Sequence, residues 1–102
     1  MTATLFTLLA DPSRRAILDR LCAGERAAGE IGAGLGLSQP GVSKHLRLLR
    51  EAGLVTVRGE AQRRVYALKP DALRALDAWL EPYRAFWAGR LDALETHLNR
   101  EA

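Results

Sequence analysis

The sequence of 102 residues predicts a mainly α fold carrying one two-stranded β-hairpin. Three observations carry that expectation. Apolar residues recur at helical spacing over most of the chain. Leu54 to Arg58 and Arg64 to Leu68 alternate instead in the manner of strands. Helix punctuation (Asp11-Pro12, Ser38-Gln39-Pro40, Pro70-Asp71) stands where the helical period restarts.

The elements follow in order. Leu5, Leu8 and Leu9 share one helical face, with Phe6 beside it. Asp11 is placed to cap a second helix whose first residue is Pro12, where a missing N–H is tolerated. Ile17, Leu18 and Leu21 form its stripe, and Gly24 stops it. A third helix is expected from about Ala27 to Leu35, with Ile31 and Leu35 inward, although Gly29, Gly32 and Gly34 give it poor propensity. Gly36-Leu37-Ser38 makes a tight turn, and Ser38 caps a fourth helix that runs to about Ala52 and stops at Gly53. Its stripe is Val42, Leu46 and Leu49. The two strands follow, with Gly59 to Arg63 as a polar tip. The last segment places Leu73, Leu76, Leu80, Tyr83, Trp87, Leu91, Leu94 and Leu98 on one face, widened by Trp79 and Phe86. Pro82 is expected to kink or divide it into two helices.

The length fits a single domain, residues 1–102, with a core over 1–70 (hairpin 54–68) and C-terminal helices over 71–102. The formal net charge is +3, and it is unevenly placed. Residues 38–69 hold seven basic and two acidic side chains, while residues 1–37 balance and residues 70–102 are net acidic. A basic block of this kind is the electrostatic footprint expected of a phosphate-binding surface. The single cysteine, Cys22, rules out an internal disulfide and reads as a small buried hydrophobe or, alternatively, as a redox-active or intersubunit thiol. The first ten residues lack a basic start and a long apolar run, and no stretch reaches membrane-span length, so a cytoplasmic location without membrane contact is expected.

Two short helices, a tight turn and a hairpin, in that order, describe a winged helix-turn-helix. In that arrangement the second helix of the pair enters the major groove with its N-terminal side chains at the base edges. Opposite its buried stripe lie Gln39, Ser43, Arg47 and Arg50, with Ser38, Lys44 and His45 alongside. Gln pairs bidentately with adenine, Arg and Lys with guanine, and Ser with bases or phosphate. His45 lies beside the core stripe, where phosphate contact and packing are both open to it. The wing contributes Arg58, Gln62, Arg63 and Arg64; an arginine at its tip, Arg63 first, suits an adjacent minor groove. The partner expected from these residues is double-stranded DNA.

The run Leu9-Ala10-Asp11-Pro12-Ser13-Arg14-Arg15-Ala16-Ile17-Leu18 resembles the opening of the ArsR/SmtB family of bacterial repressors. Leu35 to Val55 resembles that family's recognition helix and the strand after it, and Arg64-Val65-Tyr66-Ala67-Leu68 its returning wing strand. The match spans nearly the whole chain. It implies a homodimer that occludes a promoter at a near-palindromic operator and releases DNA when an effector binds, the effector here being unknown. The resemblance is to a branch without recognised metal ligands. Ala27-Ala28-Gly29-Glu30-Ile31 lacks the Cys-x-Cys pair of metal sensors, and Asp92, Glu95 and His97 do not supply a second ligand pair on the last helix. No metal and no cofactor are therefore expected.

The apolar face of residues 73–98 exceeds what a small domain can cover, which assigns Leu5, Phe6, Leu8, Leu9, Leu80, Tyr83, Trp87, Leu91 and Leu94 to a dimer interface. Two other readings stand beside the regulator. One is an effector or redox sensor with a ligand site between C-terminal helices, lined by Trp79, Phe86 and Trp87. The other is a winged-helix protein-interaction module. An enzyme is excluded by the lack of a nucleophile–base set, a plausible acid pair or a strand-preceded Gly-rich loop.

Overall fold

The computed structural model describes residues 2–101, with the side chains of residues 4–100; Met1 and Ala102, the ends of the expected domain, lie outside the described residues. The elements are α1 (Thr2–Leu9), α2 (Pro12–Cys22), β1 (Arg26–Ala27), α3 (Ala28–Ile31), α4 (Gln39–Glu51), β2 (Val55–Glu60), β3 (Arg63–Leu68) and α5 (Pro70–Glu101).

Caps set the helix starts. Asp11 Oδ1 accepts from the backbone N–H groups of Ser13 and Arg14 at 2.8 and 3.2 Å, and Pro12 opens α2. Ser38 Oγ accepts from the Gly41 N–H at 3.1 Å and starts α4. The Leu54 N–H reaches the Leu49 carbonyl at 2.9 Å, which closes α4 and turns the chain into the wing.

One core joins these elements. Ile17 and Leu21 of α2, Ile31 of α3, and Val42, Leu46 and Leu49 of α4 meet Leu54, Val55 and Tyr66 of the wing base. Leu5 and Leu8 of α1 complete it, and Leu73 and Leu76 at the start of α5 pack on its edge. The stripes of α2 and α4 thus carry the burial that their spacing predicts.

Four expectations are corrected. The sheet has three strands, in the order β1-β3-β2 and antiparallel throughout, because Arg26 and Ala27 pair with Tyr66 and Val65. The third helix covers four residues only. Gly34 and Gly36 take φ of +79° and +71°, a left-handed backbone that ends the helix early and steers the chain into Ser38. The wing ladder extends to Glu60 paired with Arg63, so the tip is Ala61-Gln62 alone, with Ala61 at φ +56°. Finally, Pro82 does not divide the last segment in two: α5 is a single helix of 32 residues with Pro82 inside it. Proline removes one intrahelical donor, but this stretch is exposed, so solvent can satisfy the freed carbonyl. Arg84 also clasps Asp77 and Glu81 at 2.5 Å each across Pro82.

At 1.5 Å per residue α5 is about 48 Å long, and it carries the molecule to extents of 62 × 29 × 22 Å. No helix among the described residues is long and apolar enough to cross a membrane.

Candidate nucleic-acid interface

Burial divides α4 cleanly. Val42, Leu46 and Leu49 lie at 0–2% exposure, and Gln39, Ser43, Lys44, Arg47 and Arg50 are exposed on the opposite side. The buried stripe fixes the helix's rotation, so the polar residues have one direction left to face. Lys44, Arg47 and Arg50 form no ion pair among the described residues, which leaves their charge available to an outside anion. Ser38 is exposed and already engaged as the helix cap.

His45 is half-buried, with Nδ1 3.5 Å from Nη1 of Arg14. Arg14 itself donates through Nε to the Leu8 carbonyl at 2.7 Å. The histidine therefore sits close to Arg14, the residue that joins α2 to the end of α1.

The wing residues Arg58, Gln62, Arg63 and Arg64 are exposed. Arg64 makes no ion pair among the described residues. Arg58 donates to both carboxylate oxygens of Glu25 at 2.5 and 2.8 Å and to Glu60 at 2.9 Å. Those bonds hold the Arg58 pKa above its ordinary value and the Glu25 carboxyl below its own. Arg63 donates to Glu30 at 2.5 Å. Sequence reasoning missed Glu25 and Glu30 as partners of the wing. It also missed Arg20, whose Nη1 caps the end of α3 through the carbonyls of Glu30 and Ile31 at 3.2 Å each. No local signal marks these contacts, since each depends on how distant segments pack.

Cys22 is exposed at the end of α2, not buried as its apolar neighbours suggested. Trp79 is engaged by other rings. It packs edge-on against Phe6 with ring centres 5.0 Å apart and lies 4.8 Å from Tyr83, which docks α5 on α1. A cleft of about 460 Å³ lies among Thr4, Leu5, Ala52, Lys69, Ala72 and Ala75, and Trp79, Phe86 and Trp87 are not part of its lining. Among the described residues no cluster of three His, Cys, Asp or Glu side chains is placed to hold a metal ion.

Leu5 and Leu8 retain only 6% and 8% exposure, so their own chain covers nearly all the surface assigned to a second one. Leu9 and Leu80 are half-buried. Phe6, Tyr83, Trp87, Leu91 and Leu94 remain 39–64% exposed, as do Phe86 and Leu98.

A buried-stripe helix presenting exposed cations beside a basic hairpin defines a winged helix-turn-helix DNA-binding protein. A family model described as a helix-turn-helix domain matches residues 9–58. The HTH-type transcriptional regulator Rv2034 of Mycobacterium tuberculosis is 46% identical over 93 residues, which cover 91% of this chain and 84% of that protein. The transcriptional repressor SdpR of Bacillus subtilis is 33% identical over 76 residues, 74% of this chain and 84% of that protein. The crystal structure of an ArsR family transcriptional regulator superposes with a TM-score of 0.75 at 29% identity, covering 85% of this chain and 96% of that one. The chain belongs to the ArsR/SmtB family of winged helix-turn-helix transcriptional regulators, and it is a DNA-binding regulator rather than an enzyme.

Proposed function

We propose that the protein is a homodimeric repressor that reads a near-palindromic operator at its own promoter and excludes polymerase there. The observation that carries this reading is the exposed cationic face of α4, Lys44, Arg47 and Arg50, held outward by the buried stripe of Val42, Leu46 and Leu49. Gln39, Ser43 and Arg47 read base edges; Lys44, Arg50 and Arg64 hold phosphate. Residues 2–70 are the reading unit. The distal half of α5 is the pairing unit, with Tyr83, Trp87, Leu91 and Leu94 buried against the same face of a second copy. Such a dimer presents two recognition helices to half-sites about one duplex turn apart.

The test is fluorescence anisotropy with the duplex upstream of its own gene against a scrambled duplex, over a range of salt concentrations. Wild type prefers the upstream duplex, and log affinity falls linearly with log salt; six phosphate contacts give a slope of roughly −5. Arg47→Ala narrows the preference. Equal binding of both duplexes by wild type at every salt concentration refutes operator reading.

A further inference from the structure

Glu25, Glu30, Glu60, Arg26, Arg58 and Arg63 gather where the wing meets the body of the protein, around a polar cleft of about 190 Å³. The two wing arginines in this cluster are held differently. Arg58, on β2, is bracketed by two carboxylates, Glu25 and Glu60. Glu25 lies just before β1, so this pair ties the wing to the edge of the sheet. Arg63 opens β3 beside the wing tip and has one carboxylate, Glu30 of α3. Both side chains of that pair are more than half exposed, at 57% and 54%.

A carboxylate and a phosphodiester offer a guanidinium the same thing: anionic oxygens that accept N–H bonds. A duplex can therefore replace Glu30 on Arg63 one for one. Replacing the anions on Arg58 breaks contacts to two carboxylates. We propose that Glu30 is a positioning residue that acts through Arg63: its carboxylate occupies that arginine, next to the wing tip, in the DNA-free protein, and a DNA phosphate binds there only by displacing it. Arg58 stays bracketed and orients the wing. Arg63 is thus already neutralised before DNA arrives, and its contribution to duplex binding is reduced by the strength of the contact it must leave. This inference rests on the reading that the wing lies along the duplex.

The experiment measures binding of a short fluorescein-labelled duplex of mixed sequence across a sodium chloride series. It compares wild type, Glu30→Gln, Arg63→Gln and the double variant, with thermal melts confirming that all four fold alike. Glu30→Gln should bind about 1.5- to fivefold tighter, the range of an exposed ion pair. Its log–log salt slope should steepen by up to about 0.9, because wild type gains that phosphate only while breaking an ion pair of its own. Arg63→Gln should weaken binding and flatten the slope. In that background the Glu30 change should add almost nothing. A gain that persists undiminished in the Arg63→Gln background makes Glu30 a general repulsive charge and overturns the proposal. So does an Arg63→Gln variant that loses affinity while Glu30→Gln gains none. An Arg63→Gln variant with unchanged affinity and slope removes the wing from the duplex, and the failure then lies in the underlying reading.

Discussion

The guanidinium of Arg14, on α2, donates through Nε to the carbonyl oxygen of Leu8, 2.7 Å away at the end of α1. Its neighbour Arg15 donates to the carbonyls of Leu9 and Ala10 at 2.8 and 3.2 Å. Helix C-termini leave carbonyls without intrahelical donors, and here side chains of the following helix supply them. The α1 helix has only eight residues, too few to be stable alone, so these bonds and the burial of Leu5 and Leu8 hold it in place.

Arg14→Ala should therefore lower stability by about 1.5–3 kcal/mol, the range for a charged donor lost from a largely buried bond. Urea unfolding reads the loss as a lower midpoint at unchanged slope. Hydrogen exchange should quicken in α1 before it does in α4. Equal exchange in α1 of wild type and variant would show that burial alone anchors the helix.

Two glycines near α3 should respond in opposite directions to alanine. A Cβ at Gly32 would stand 2.7 Å from Cγ2 of Val42, inside the core that orients the recognition helix. Gly32→Ala should cost about 1–3 kcal/mol by overpacking. A Cβ at Gly29 meets nothing within 4 Å, so Gly29→Ala should stabilise by roughly 0.4–1 kcal/mol through the unfolded chain. Paired thermal melts check both signs.

Leu91→Glu should yield a folded monomer. Leu91 is 64% exposed and touches no part of the core cluster, so the single chain should keep its circular dichroism spectrum and melt. Placing a charge in the proposed pairing face should weaken dimerisation by at least about a hundredfold. Sedimentation equilibrium measures it. A wild-type chain that sediments as a monomer across the same concentrations would remove the dimer altogether.

Acid should weaken the fold through two carboxylates. The backbone N–H of Arg14, then that of Ser13, hold Asp11 below its ordinary pKa, and the Arg58 hydrogen bond does so for Glu25. Lowered folded-state values mean that their contribution is complete above the ordinary carboxylate range. It is lost as pH falls through the lowered values. The melting temperature should drop over that window. The drop should be smaller in the double variant Asp11→Asn/Glu25→Gln, because an asparagine side chain still caps α2 but does not titrate.

The sequence made the helices legible wherever the information was local. Asp11-Pro12 and Ser38 cap the helices they were expected to cap, and the stripe of Val42, Leu46 and Leu49 already implied which side of α4 stays outside. What was hidden depends on distant partners. The strand β1 has two residues and exists only because Tyr66 and Val65 pair with it. Gly59 and Glu60, weak strand formers, are drawn into the ladder by Arg64 and Arg63. Glu25 and Glu30 read as ordinary surface acids until the fold sets them against the wing. Leu5 and Leu8 looked like surplus apolar surface because the share of α1 that the core itself consumes is a tertiary property.

The unbroken course of α5 makes length a stiffer variable than composition in this protein. A substitution on its distal half changes one side chain and leaves the direction of the others as it was. Deleting a single residue between Pro70 and Tyr83 would turn everything beyond it by about 100° and draw it in by about 1.5 Å. Side chains at that end would point away from their former direction while the sheet and α4 stayed where they are. Side chains that face away from the pairing surface can thus vary along the rod, but a change of length keeps that surface aligned only if it restores nearly whole turns.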